Sequence, residues 1–201
     1  MPDSKPEVEI AEEDELRATL YALLARLLAK PPDQAFLAVL RSFEGDESEI
    51  GAALRTLNAA AAASMPDAIE QEYFDLFIGV GEGELVPYGS YYLTGFLHEK
   101  PLARLRADMA RLGIVRADGV PESEDHIAAV CDMMAGLITG AFGRPADLAA
   151  QRRFFDEHIG CWAPRFFENL EAASSAAFYM PVGTLGRLFM AVESQAFEMA
   201  A

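Results

Sequence analysis

The sequence predicts an all-α protein on three observations. Its 201 residues hold 35 Ala and 22 Leu against 9 Val, 8 Ile and 5 Thr, a balance that favours helix over strand by intrinsic propensity. Apolar residues recur at spacings of three and four along most of the chain, and proline or glycine interrupts those runs about once per helix length. The chain is 52% hydrophobic with mean hydropathy +0.11, so it can fill one core as a single multi-helix bundle, or two helical lobes joined by a hinge.

Residues 1–10 are polar and proline-bearing and are expected to form a flexible tail, with the helical domain occupying 11–201. The first helix places Leu16, Leu20, Leu23, Leu24, Leu27 and Leu28 at helical spacing. Its acidic start, Glu12 to Glu15, complements the helix dipole, and Pro31-Pro32 stops it. A shorter helix is expected over Asp33–Phe43, and another over Ser48–Ala63 built on Ile50, Leu54 and Leu57. Ser64, Pro66 and Asp67 supply the start of the next, with Ile69, Tyr73, Leu76 and Phe77 on one face and Gly79 as its end. The glycine-rich loop Gly79–Glu84 is expected to stay unpacked, and Pro87 to Tyr92 to be irregular.

Beyond it, Pro101–Leu112 reads as a helix that Gly113 closes, and 113–123 as the hinge if the chain has two lobes. Ile127, Val130, Cys131, Met134, Leu137 and Ile138 trace the clearest apolar stripe in the chain. Helices over 146–158 and 162–173 follow, and Pro181-Val182-Gly183 is expected to break the chain before a last helix over Thr184–Met199.

Charge limits the partners. Sixteen basic against 32 acidic side chains leave a net charge of -16, which repels nucleic-acid phosphates and anionic lipid and suits a basic partner. Acidity also serves plain solubility. Cys131 and Cys161 lie in apolar helical patterns and read as buried thiols in a reducing compartment. The N-terminus has no signal-peptide pattern and no stretch reaches membrane-spanning length, so a cytoplasmic protein without membrane insertion is expected.

Catalytic patterns are lacking. Gly79-x-Gly81-x-Gly83 could approach a phosphate, but Glu82 and Glu84 would oppose it. Ser90 has no nucleophile-elbow setting. His98, His126 and His158 are far apart and form no HExxH pair, which leaves only a metal site assembled from distant segments. No catalytic residue, metal ligand or cofactor is expected. The rival readings are a nucleotide- or metal-dependent enzyme or switch on a helical scaffold, and a plain helical subunit.

The stretch Glu70–Thr94 is the densest in aromatic and acidic residues. Tyr73, Leu76 and Phe77 suit a core face as well as a ligand, whereas Tyr88, Tyr91 and Tyr92 on a proline-bearing segment suit a recognition surface. Asp125 and His126 suit a helix start equally well.

Three pieces of this chain, in order, carry a resemblance: Tyr73-x-x-Leu76-Phe77-x-Gly79, Pro87-Tyr88-x-Ser90-x-Tyr92, and Pro121-Glu122 with Asp125-His126-Ile127. With them the chain resembles the TorD/DmsD/NarJ family of cytoplasmic chaperones for molybdenum enzymes. The resemblance implies a TorD-like helical fold and no catalytic activity. It also implies a chaperone that binds the twin-arginine leader and the immature catalytic subunit of a molybdenum-containing oxidoreductase, as a monomer or a domain-swapped homodimer. It associates the Asp125-His126 pair with leader recognition. The expected peptide site then comprises Glu122, Glu124 and Asp125 for the arginines, His126 and Ser90 beside them, and Tyr73, Leu76, Phe77, Pro87, Tyr88 and Tyr92 for the apolar part.

Overall fold

The computed structural model describes residues 10–116, 119 and 121–200. Most of the expected tail, residues 1–9, and Ala117, Asp118 and Val120 of the expected hinge lie outside the described residues. Among the described residues there are ten α-helices and no strand. They are α1 (Glu12–Ala29), α2 (Gln34–Leu40), α3 (Glu49–Ala63), α4 (Pro66–Phe77), α5 (Gly89–Thr94), α6 (Lys100–Leu112), α7 (Ile127–Thr139), α8 (Leu148–His158), α9 (Ala163–Glu171) and α10 (Met180–Met199).

Local chemistry sets most of these boundaries. Asp33, Ser48 and Asp147 cap α2, α3 and α8 by accepting from Phe36, Gly51 and Ala150 N–H, three donors that a helix start would otherwise leave unmet. Gly79, Gly113 and Gly140 take positive φ after α4, α6 and α7, where a Cβ would be strained. The start of α4 differs from expectation: Met65 is its N-cap and Ser64 makes no capping bond, because Pro66 already occupies the first turn.

The expected break at Pro181 is absent. Pro181 lies in the first turn of α10, where its missing N–H costs nothing, and the helix runs on through Gly183 and Gly186. Those glycines are packing devices. A Cβ at Gly183 would collide with the Glu171 backbone and one at Gly186 with the Phe167 ring, so both let α10 lie close on α9.

The longest apolar stripes meet in the middle. α1 packs on α7 and touches α10, while α10 also covers α9 and α3. One core cluster includes Tyr21, Leu24 and Leu28 of α1, Leu76 of α4, Val130, Met134 and Ile138 of α7, and Phe189 and Met190 of α10, so residues before and after 113–123 share it. Leu16, expected in the stripe of α1, points outward at 62% exposure. Cys131 is buried as expected, but Cys161 is exposed in the turn between α8 and α9.

Candidate functional site

The segment after α4 is held in place rather than free. Glu84 N–H donates to Asp75 O at 3.0 Å and Leu85 N–H to Leu76 O at 2.8 Å, so the chain folds back on the end of α4. The Glu84 carboxylate accepts from Ser174 N at 2.6 Å and Ser175 N at 2.9 Å. Hydrogen bonds from Ser175 and Ser174, against a smaller upward push from desolvation, hold this acid down at about 2. The expectation of an unpacked loop is therefore corrected at its end, where Glu84 is pinned to the 174–175 turn.

From there Pro87 and Tyr88 run antiparallel to Asp125 and His126. Tyr88 and His126 form an isolated β-bridge, Ile127 N–H donates to Pro87 O at 2.9 Å, and Gly89 N–H donates to Asp125 O at 2.9 Å. Two segments more than thirty residues apart are thus joined at the starts of α5 and α7. The expected irregularity of 87–92 ends at Gly89, where α5 begins.

Asp125 is 3% exposed and faces inward: Oδ2 accepts from Ser90 N–H at 2.8 Å, and Oδ1 from the Ser123 hydroxyl at 2.5 Å. His126 caps α7, its Nδ1 accepting from Ala128 N–H at 3.1 Å. Burial pushes this imidazole down to about 4 against the opposing pull of Glu122 and Asp125, so it is neutral at pH 7. The Tyr88 ring meets the His126 ring edge to face at 5.1 Å, and its hydroxyl donates to Glu122. Burial first, then that carboxylate, pushes the Tyr88 phenol up. Glu124 binds Arg106 at 2.8 and 3.0 Å and lies 3.7 Å from Arg116. Partial burial pushes Glu124 up, but the Arg106 hydrogen bonds and the two positive charges more than reverse it.

Beside this junction opens a cavity of about 560 Å³, within the range of small-ligand and side-chain pockets. Its walls come from Ala22, Ala25 and Ala29 of α1, Met109 of α6, and Ala128, Ala129 and Met133 of α7, with Ile114, Val115 and Phe142 completing the apolar surface. Glu122, Glu124, His126, Asp132, Arg26 and Arg116 supply its polar lining, with Arg116 donating to Glu122 O at 3.0 Å. The alanines of α1 and α7 make room between two closely packed helices, and three acids, Glu122, Glu124 and Asp132, are part of the lining.

Of the expected peptide site, the structure brings together Pro87, Tyr88, Ser90, Glu122, Glu124, Asp125 and His126. It places the remaining four elsewhere. Leu76 is fully buried, and Tyr73 donates its hydroxyl to Leu28 O at 3.1 Å. Phe77 packs on Tyr73, Tyr179 and Phe166, and Tyr92 packs on Trp162 and Phe166 and accepts from Asn169 at 3.1 Å. These rings form the aromatic seam between α4, α5, α9 and the start of α10. Tyr73 alone stays within electrostatic reach of the junction: burial, then Glu122, pushes it up to about 12.

The cavity walls were not singled out from the sequence. Ala22, Ala25 and Ala29 at i, i+3 and i+7 did carry a signal, a small-residue stripe inside a leucine-rich helix. Asp132, exposed six residues past the His126 cap, carried none beyond its polarity.

Comparison with known proteins gives this geometry its context. Curated relatives include chaperone protein TorD from Shewanella loihica, 25% identical with 96% of this chain and 98% of that one aligned. TorD from Aliivibrio fischeri is 25% identical over 92% of this chain and 96% of its own, and TorD from Vibrio cholerae is 26% identical over 88% and 90%. Among solved structures, a proposed redox enzyme maturation protein from Archaeoglobus fulgidus shares the fold with a TM-score of 0.58 at 17% identity, covering 93% of this chain and 99% of the other. The model of the nitrate reductase delta subunit family matches residues 44–168, which hold the whole Pro87–His126 junction. The chain belongs to that family and is a molybdoenzyme maturation chaperone of the TorD/NarJ type, not an enzyme.

Proposed function

We propose that the cavity between α1, α6 and α7 receives the twin-arginine leader of an immature molybdenum-containing oxidoreductase subunit, holding it until the cofactor is inserted. The observation that carries this reading is the union, in one cavity of about 560 Å³, of a largely apolar wall with the carboxylates of Glu122, Glu124 and Asp132. A leader of this kind has two cations next to an apolar segment, and it needs both features in its receptor.

Within that reading the roles differ from those expected of the residues singly. Asp125 and His126 shape the junction, since their polar atoms are used in holding α5 and α7. Glu122 and Asp132 are the acids that meet the arginines, with Glu124 held beside them by Arg106. The apolar part falls to Met109, Val115, Met133 and the alanine floor, and Tyr88 carries the hydroxyl that positions Glu122.

Two large apolar side chains buried in the cavity would contribute roughly 3 to 6 kcal/mol, and ordering the leader costs about 2 to 5. Apolar burial alone therefore gives little net affinity. Charge-assisted hydrogen bonds to the arginines supply the rest. Titration of a synthetic leader peptide tests the assignment. Replacing both peptide arginines by glutamine, or Glu122 and Asp132 by Gln and Asn, should each weaken binding about tenfold or more. Ala129→Phe, which fills the cavity, should do the same. Unchanged affinity in all three would overturn the proposal.

The same reading places the chaperone in the cytoplasm, where the client matures, and no described helix is long and apolar enough to cross a membrane. The segment 113–123 serves as the hinge through which a monomer exchanges halves with a second copy. The α1 and α7 contact would be kept in such a dimer, formed between copies instead of within one.

A further inference from the structure

Outside the leader cavity, one group of side chains has the composition of a metal site. Asp108 of α6 and Glu157 and His158 of α8 place one ligand atom each within 4.8 Å of one another. His158 Nε2 lies 2.7 Å from Asp108 Oδ2, across a sequence separation of 50. We propose that these three residues bind a divalent transition-metal ion of the zinc type, linking α6 to α8. This does not rest on the leader reading.

The donor set selects the ion. One imidazole nitrogen and two carboxylate oxygens suit Zn²⁺ and its neighbours, whereas Ca²⁺ and Mg²⁺ prefer all-oxygen shells and Cu(I) prefers sulfur. The site is also pre-oriented. The His158 side chain is 5% exposed and its ring packs edge to face on Phe154 at 5.1 Å, which fixes the direction of Nε2. Asp108 Oδ1 accepts from Arg111 at 2.6 Å, an outer partner that leaves Oδ2 turned toward the imidazole. Glu157 is exposed and makes no ion pair among the described residues, so its carboxylate can swing onto an ion. The net charge of -16 raises the local concentration of cations.

The separation needs only a small adjustment. Zinc bound at about 2.0 to 2.2 Å from nitrogen and oxygen in a tetrahedron holds its ligand atoms about 3.3 Å apart, against 2.7 Å between Nε2 and Oδ2 here. A modest rotation of Asp108 opens that gap. On binding, the hydrogen on Nε2 leaves and Nδ1 carries the ring's remaining one. An imidazolium thus releases one proton to solvent, and a neutral ring only changes tautomer. Water fills the fourth position.

Isothermal titration of zinc sulfate into metal-stripped full-length protein tests the site, with Co²⁺ absorption as a second readout of the coordination sphere. One ion per chain is expected, with binding weakened at least about tenfold in Glu157→Gln and in His158→Gln, since even an outer partner's loss commonly costs that much. Glu157 is exposed, so its variant stays folded if His158→Gln does not. Cys161→Ser controls for the exposed thiol in the next turn and should bind as the parent does. No uptake, uptake unaltered by Glu157→Gln, or uptake lost in Cys161→Ser would each overturn the proposal.

Discussion

At the scale of single residues, burial decides what the Asp125-His126 pair does. A carboxylate that accepts from Ser90 N–H and the Ser123 hydroxyl is a clasp between the starts of α5 and α7, and the neighbouring imidazole is the α7 cap. The pair was legible in the sequence as a helix start and as a point of interest. Its inward direction was not, because the Pro87–Tyr88 segment that pairs with it comes from more than thirty residues away. The neutral His126 has a consequence for stability. Its folded value of about 4 lies below the ordinary 6.5, so between these limits the unfolded chain binds more protons than the native one. Stability should therefore be intact above pH 6.5 and fall as pH drops toward 4, by up to roughly 3 kcal/mol from this group. His126→Asn keeps a side-chain acceptor at the cap but does not titrate. Urea denaturation between pH 7 and 4.5 should show a shallower decline for the variant than for the parent, and parallel curves would remove His126 as the cause.

At the scale of elements, the helices were readable wherever local chemistry sets them. The stripe of α7, the glycine stops after α4, α6 and α7, and the caps of α2, α3 and α8 are signals contained within a few residues of each boundary. The start of α10 was misread because Pro181 looks like a breaker unless one knows that the preceding turn is already anchored. That anchor is Glu72 of α4, whose carboxylate accepts from Ala177 N at 2.8 Å, Phe178 N at 3.0 Å and Tyr179 N at 2.7 Å. Tyr179, the N-cap of α10, offers no side-chain cap of its own, so a glutamate 107 residues away performs the task. Glu72→Ala should leave three N–H groups in and around a partly buried turn without this acceptor, at a cost of about 1 to 3 kcal/mol. Glu72→Gln, which keeps one acceptor oxygen but loses the charge, should fall between the variant and the parent. Thermal melts of the three proteins give the order directly, and equal midpoints would mean that water replaces Glu72 without loss.

At the scale of the whole molecule, the chain's two ends are joined through a polar centre that no local pattern announces. Arg17 of α1 donates to Glu193 of α10 at 2.7 and 2.9 Å, to Gln151 of α8 at 3.0 Å and to Asp14 at 2.5 Å. Tyr21 adds its hydroxyl to Glu193 at 3.0 Å. Glu193 is 1% exposed, and a bidentate arginine and a phenol satisfy its two oxygens. Arg17 and Glu193 are 176 residues apart, and each looks like an ordinary solvent-facing charge in its own helix. The network fixes how α1 sits against α8 and α10, and α1 in turn supplies the alanine floor of the cavity. Glu193→Leu alone would leave the Arg17 guanidinium with only Asp14 and Gln151 as hydrogen-bond partners and the buried Tyr21 hydroxyl without its acceptor, and should cost about 3 kcal/mol. Arg17→Met combined with Glu193→Leu removes both charges and should recover much of that loss. The double variant also tests what the network is for: recovered stability with weakened leader binding would mean that the charges set the register of α1 over the cavity, whereas recovery of both would make them replaceable packing. Chemical denaturation and peptide titration on four proteins, the parent, Arg17→Met, Glu193→Leu and the double variant, separate these outcomes, and a double variant as unstable as the sum of its single changes would refute the coupling itself.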